Sequence, residues 1–184
     1  ISACLVGSEM CIRDSDAGRA DGSGLSFRRA VPERLAFVGI LLGAFLVYAP
    51  TLSYQFVYDD DFQILKNPHI QSWAYWRLYF TSHVWSQAFS ATAGWNYRPL
   101  FLLWLRLNYA IFGPRPAGWH LTTVAAHLAV VALVFLVVRR LSHEPWVAGL
   151  AALVFALHPA HIEAVAWISG VSEPLCAAFF LLAY

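Results

Sequence analysis

Formal charge is what this chain has least of: 12% of its 184 residues are charged, against about 25% in ordinary soluble domains. The shortage is uneven, because 10 of the 23 formal charges lie in the first 34 residues, leaving 13 for the other 150. With 59% of residues hydrophobic, a disordered chain and a water-soluble globular domain are both excluded, and the body is expected to sit in lipid. Cysteine is scarce as well. Cys4 and Cys11 fall in the N-terminal segment and Cys176 in an apolar run, so there is no CxxC pair and no disulfide framework. The basic residues are scattered and net charge is +1; nothing forms the stripe that neutralises a run of phosphates, which excludes nucleic acid as a partner. A chain of 184 residues has room for one domain or a piece of one.

Residues 1–30 are set apart as a leader. Residues 4–15 read Cys-Leu-Val-Gly-Ser-Glu-Met-Cys-Ile-Arg-Asp-Ser and resemble the read-through translation of a sequencing adapter. Asp16 to Ser26 is rich in Gly, Ser and Asp, a composition that also suits a disordered cytoplasmic tail. Either reading removes 1–30 from fold reasoning and leaves 31–184 as one membrane unit. The chain opens on Ile1 and stops at Tyr184 inside an apolar run, so both ends are expected to be edges of a longer protein.

From Leu35 to Tyr58 there are 24 residues without a formal charge, and about 20 apolar residues cross a ~30 Å hydrocarbon core. Leu35 to about Pro50 is the first expected span. Arg28, Arg29 and Arg34 precede it, which puts the N-terminus in the cytoplasm and the following loop outside. A second span is expected from about Trp119 to Val138, with Arg139 and Arg140 marking a cytoplasmic exit. A third begins at Trp146 and meets His158 and Pro159 after three turns; a fourth begins at Pro174. Residues 158–173, without Lys or Arg, are placed outside. The long loop from Thr51 to Gly118 is crowded with Trp73, Tyr75, Trp76, Tyr79, Phe80, Trp85, Phe89, Trp95 and Tyr97, rings that favour the headgroup layer. It is read as helices lying on the outer interface, with Pro99 to Phe112 too short for a span and carrying Arg106. The expected fold is thus all-α, a multispanning transmembrane bundle with outer interfacial helices in an integral membrane protein of the bacterial inner membrane.

Three clusters carry chemistry. Asp59, Asp60 and Asp61 stand just outside the first span, where like charges and partial desolvation raise carboxyl pKa values toward useful general-base strength. In an extended segment Asp59 and Asp61 would share one side. The plain alternative is a solvated acidic turn or a partner for Arg98 or Arg106. Arg98 precedes Pro99, a good first helical residue, and a guanidinium at a helix start suits phosphate or carboxylate; anchoring or pairing with the Asp cluster is the alternative. His158, His161 and Glu163 pack two imidazoles and a carboxylate into six residues. Their spacing lacks a fourth ligand and is not the H-E-x-x-H pattern, so a polar lining for an anionic substrate is preferred to a metal. His120 and His127 lie near one face of the second span and are expected to be packed or interfacial.

Taken in order, FVYDDDFQILKNP at 56–68, NYRPL at 96–100, LRLNY at 105–109, WHLTTVAAHL at 119–128 and HPAHIEAVAWISG at 158–170 resemble the N-terminal membrane domain of the transmembrane and tetratricopeptide-repeat O-mannosyltransferases. These are glycosyltransferases of the GT-C class. The resemblance implies an inverting transferase that moves a mannose-like sugar from a polyprenyl or dolichyl phosphate to a Ser or Thr hydroxyl of a protein outside the cytoplasm. It implies the bilayer, the lipid-linked sugar and a protein acceptor as partners, and no obligatory cofactor, with a divalent metal as an option. It matches the family's acidic pair to Asp59 and Asp60, its Tyr-Arg-Pro arginine to Arg98, and its histidine motif to His158, His161 and Glu163, the last four as substrate-binding residues. Asp60 is the leading expected base and Asp59 the next. Where relatives commonly carry Gly-Arg-Ala-Asp, this chain has Gly170-Val171-Ser172-Glu173, which removes a basic contact. The competing class is a non-enzymatic membrane module, either a transporter or channel piece whose Asp and His residues line a path, or an anchor for downstream repeats.

Overall fold

The computed structural model describes residues 33–86 and 96–184, and every regular element among them is a helix. The leader, Arg28, Arg29, Phe89 and Trp95 lie outside the described residues. Helix α1 spans Glu33–Tyr48 and continues as a 3-10 turn over Ala49–Ser53; α4 spans Pro116–Ser142. At 1.5 Å per residue these segments of 21 and 27 residues reach roughly 30 and 40 Å, enough to cross a hydrocarbon core. Both expected spans are thus helices long and apolar enough to cross a membrane, the second starting three residues earlier than Trp119 because Pro116 needs no N–H partner in the first turn. The chain is an integral membrane protein. Along α1, Leu35, Val38, Leu42, Leu46 and Val47 are exposed, an apolar surface that lipid would cover.

Helix α5 (Pro145–Leu157) packs along α4 and against α1. It presents Ala148, Ala152 and Ala156, all 0% exposed, to a cluster with Ala44, Val131 and Phe135. Small residues four apart bring two backbones close, which in lipid matters more than apolarity itself. The helix then breaks at His158-Pro159 and bends by 51° into a turn at Pro159–His161 and α6 (Ile162–Ala166). Pro159 has no N–H and disfavours helical backbone before it, so the carbonyls of the preceding turn lose their partners. Helix α4 replaces one of them: Nε2 of His127 lies 3.2 Å from the Ala156 carbonyl, while Oγ1 of Thr123 donates to the Val165 carbonyl at 3.0 Å, beyond the break. Freed backbone groups at a broken membrane helix need such partners. His120 and His127 are both buried, as packed residues.

A second core gathers around the start of α4. Helices α2 (Pro68–Gln71) and α3 (Pro99–Phe112), a 3-10 helix at Trp73–Phe80 and the turn at Ile168–Val171 surround Ile64, Ile70, Tyr79, Leu105, Trp119 and Ile168. The chain turns from α3 into α4 at Gly113, whose φ of 56° and ψ of −139° belong to glycine alone. The indole N–H of Trp119 closes that corner by donating to the Gly113 carbonyl at 2.8 Å. Helix α7 (Ser172–Leu182) completes the order and rests on α4.

Candidate active site

The acidic segment is helical, not extended. Residues 59 and 60 are α-helical, and Asp61–Leu65 is a π-helical turn, so Asp59 and Asp61 do not form one side against Asp60. The backbone enters through Tyr58 at a φ of 51°, a value that costs a non-glycine residue conformational energy and persists only where surroundings impose it. Those surroundings centre on Asp60. Its Oδ2 accepts from the Val57 N–H at 3.2 Å, and its Oδ1 accepts from the Ser169 N–H at 3.0 Å and the Ser169 hydroxyl at 2.6 Å. Asp60 is 0% exposed. Burial pushes its carboxyl pKa above the ordinary value, against the opposing pull of the Ser169 and Val57 donors.

The three carboxylates thus take three positions. Asp61 pairs with Lys66 near the surface. Asp60, the leading base by sequence, ties the segment to the turn at Ile168–Val171 and lines no cleft among those described. Asp59 lines two. Neither Arg98 nor Arg106 pairs with the cluster. The Arg98 guanidinium donates to the Ser172 hydroxyl at 3.2 Å, and Arg106 is buried with its guanidinium carbon 4.5 Å from the Trp73 ring centre.

The first cleft, about 290 Å³, is polar: Asp59, Gln63, Asn96, Arg98, Ser172 and Glu173 line it together with Trp85, Phe101 and Trp167. Arg98 sits at its rim because α3 begins at Pro99, and no carboxylate lies within ion-pair distance of Arg98 among the described residues. At Arg98, Phe101, Ser172 and Glu173 this cleft joins an open groove of about 760 Å³ between α3 and α7, walled by Leu100, Leu175, Phe179 and Phe180. The second cleft, about 430 Å³, is lined by Val57, Tyr58, Asp59, Glu163 and Trp167. Gly170 lines the first, and a Cβ there would stand 3.0 Å from the Glu163 carbonyl oxygen, so a side chain would push the turn and α6 apart by a few tenths of an ångström.

Asp59, Arg98 and Glu163 of the residues singled out by sequence therefore come to the clefts, and His158 and His161 do not. His158 caps its own turn, with Nδ1 accepting from the Ala160 N–H at 3.2 Å. The His161 ring lies 4.2 Å from that of Phe155 and faces a groove walled by Val147, Leu150 and Val154. Both histidines line that groove with residues of α5. No three of His, Cys, Asp and Glu converge among the described residues as a metal ion would need. Ser169, Trp167 and Glu173 join the clefts without a sequence signal of their own: the first two are uncharged residues within HPAHIEAVAWISG, and Glu173 stands where relatives commonly carry another residue pattern.

An all-helical membrane protein with a polar cleft opening onto an apolar groove is the class that fold and site define. No family model and no solved structure matches the chain. Curated relatives do. The chain is 36% identical over 143 residues to protein O-mannosyl-transferase Tmtc2 of Drosophila melanogaster and 38% identical over 143 residues to Tmtc1 of the same fly. It is 34% identical over 156 residues to human protein O-mannosyl-transferase TMTC4. Each match covers 77% of this chain but only 15%, 16% and 21% of the relative, respectively. The chain is thus a relative of the TMTC protein O-mannosyl-transferases, spanning about one sixth to one fifth of their length.

Proposed function

We propose that the protein carrying this segment is a membrane glycosyltransferase of the GT-C type, moving a mannose-like sugar from a polyprenyl phosphate to a Ser or Thr hydroxyl outside the cytoplasm. The observation that carries the reading is the junction of an apolar groove with a polar cleft at Arg98. A lipid-linked sugar has the same order of parts: an apolar tail, a phosphate, a sugar. In this reading the tail lies between α3 and α7, Arg98 takes the phosphate, and the polar cleft takes the sugar. The basic residues flanking α1 and α4 support an orientation with the clefts on the outer side.

Phosphate is already a good leaving group, so the reaction needs a base for the hydroxyl and positive charge on the departing oxygens more than a strong acid. Asp59 fits the base, being the carboxylate of the acidic segment that lines the clefts. Arg98 fits the second role, since its only side-chain hydrogen bond among the described residues is to a neutral hydroxyl that a phosphate can displace. Asp60 is a positioning residue in this scheme: it holds Val57 and Ser169 and so fixes where Asp59 points. Attack from the side opposite the phosphate inverts the sugar carbon. The test is incubation of the full-length protein in membranes with radiolabelled polyprenyl-phosphate mannose and a hydroxyl peptide. Transfer should fall about 10²-fold to 10⁴-fold in Asp59→Asn, the usual loss on removing a general base, with expression and membrane insertion unchanged. Normal transfer by Asp59→Asn would defeat the assignment.

A further inference from the structure

Asp59 and Trp167 are the two residues that line both clefts, with Arg98 and Glu173 on one side of them and Tyr58 and Glu163 on the other. Trp167 is well placed as a dividing wall. Its N–H donates to the Glu163 carbonyl at 3.1 Å and its carbonyl accepts from the Gly170 N–H at 3.0 Å, so its backbone is pinned where α6 ends and the next turn begins. Its indole N–H is buried without a hydrogen-bond partner, an uncompensated donor of the kind a bound polar group satisfies.

The second cleft has a different character from the first. Its volume of about 430 Å³ exceeds the 290 Å³ of the polar cleft, and its formal charges, Asp59 and Glu163, are both acidic. Tyr58 stands at its mouth, 85% exposed on a backbone with positive φ. The ties of Asp60 to Val57 and Ser169 hold that backbone in place, and the exposed ring is left free at the opening of the cleft.

Resting on the transferase reading above, we infer that the cleft of Val57, Tyr58, Asp59, Glu163 and Trp167 is the entrance for the polypeptide acceptor, and that Trp167 is the wall separating acceptor from donor until the hydroxyl reaches Asp59. The acidic lining fits a hydroxyl flanked by neutral or basic residues. In transfer, the bond between the sugar carbon and the phosphate oxygen breaks, with its electron pair leaving on the phosphate. The acceptor oxygen bonds to that carbon, and its proton passes to Asp59. Water can replace the acceptor in the same balance, giving free sugar. A wall that admits the hydroxyl only beside Asp59 suppresses that loss.

The experiment uses the full-length protein in membranes with radiolabelled polyprenyl-phosphate mannose, and counts labelled peptide and free mannose separately. Trp167→Ala should raise the ratio of hydrolysis to transfer about ten-fold, a shift of 1.36 kcal/mol, while Trp167→Phe keeps the wild-type ratio. Tyr58 is exposed, and the Glu163 side chain is exposed and forms no hydrogen bond or ion pair among the described residues, so Tyr58→Ala and Glu163→Gln retain the fold. Both should raise the acceptor KM, Glu163→Gln by up to about five-fold for a lysine-flanked peptide, and leave the donor KM unchanged. An unchanged ratio in Trp167→Ala, or a donor KM that rises while the acceptor KM stays, overturns the inference with wild-type transfer intact. A wild-type protein that neither transfers nor hydrolyses overturns the transferase reading itself.

Discussion

Replacing Ser169 by Ala takes one hydroxyl from a buried carboxylate and leaves two donors in place. The lost hydrogen bond is the shortest of the three, 2.6 Å from Ser169 Oγ to Asp60 Oδ1, and it joins residues 109 apart in the chain. The backbone N–H groups of Ser169 and Val57 remain, at 3.0 and 3.2 Å. A hydrogen bond to a charged group contributes about 1.5–3 kcal/mol. Because Asp60 is not stranded, the expected cost lies toward the low end, about 2 kcal/mol. In an Asp60→Ala background the hydroxyl has no carboxylate to serve, and Gln63 Oε1, 3.5 Å away, is too distant to replace it; there Ser169→Ala should cost under about 0.5 kcal/mol. The difference is a coupling energy of about 1.5 kcal/mol, read from the unfolding of wild type, both single variants and the double variant of the full-length protein in detergent. In transfer assays Ser169→Ala should lower kcat by loosening Asp59 and leave the acceptor KM in place, since Ser169 lines the polar cleft but not the cleft of Tyr58 and Glu163. Additivity within about 0.5 kcal/mol, or a rise in the acceptor KM at unchanged kcat, would refute the claim that this hydrogen bond sets the Asp59 position.

Asp60 also dictates a pH dependence. Its pKa is raised in the folded state, so its contribution to stability is greatest below the ordinary carboxylate value and is lost as pH rises through the raised one; the stability of wild type relative to Asp60→Asn should therefore decline over that window in thermal unfolding. Topology is testable at Ser53, which is exposed at the end of the first candidate span: with every other cysteine of the expressed protein replaced by serine, Ser53→Cys should react with an impermeant thiol reagent in intact cells, and labelling only after lysis would invert the orientation. The half-exposed pair of Arg139 Nε and Glu33 Oε1, 2.8 Å apart, joins α4 to α1 in a setting where such pairs contribute about 0.2–1 kcal/mol. Glu33→Gln should thus shift the unfolding midpoint only slightly, and a large shift would mean that the pair fixes helix register.

The two longest helices were legible in the sequence because a membrane span is a local property: length, apolarity and flanking arginines all lie within one segment around Leu35 and again around Val130. The start of α3 at Pro99 and the break at His158-Pro159 were legible for the same reason, since proline acts on its neighbours in the chain. Which aspartate faces a cleft was not. Asp59, Asp60 and Asp61 are chemically identical, and their difference arises from partners far away in sequence, Ser169 for Asp60, and Trp167 and Glu163 beside Asp59. Whether the segment is extended or helical was open in the sequence; the structure has residues 59 and 60 α-helical and Asp61–Leu65 as a π-helical turn. His158 and His161 share a motif with Glu163 but not a cleft: the His161 ring packs on Phe155 of α5, while Glu163, two residues further round the helical turn, lines the cleft with Asp59. The sequence alone determined that the chain enters lipid and which residues carry charge near its surface; only tertiary packing decided which of those charges is buried and bonded and which is left facing a cavity, because burial depends on what arrives from elsewhere in the chain.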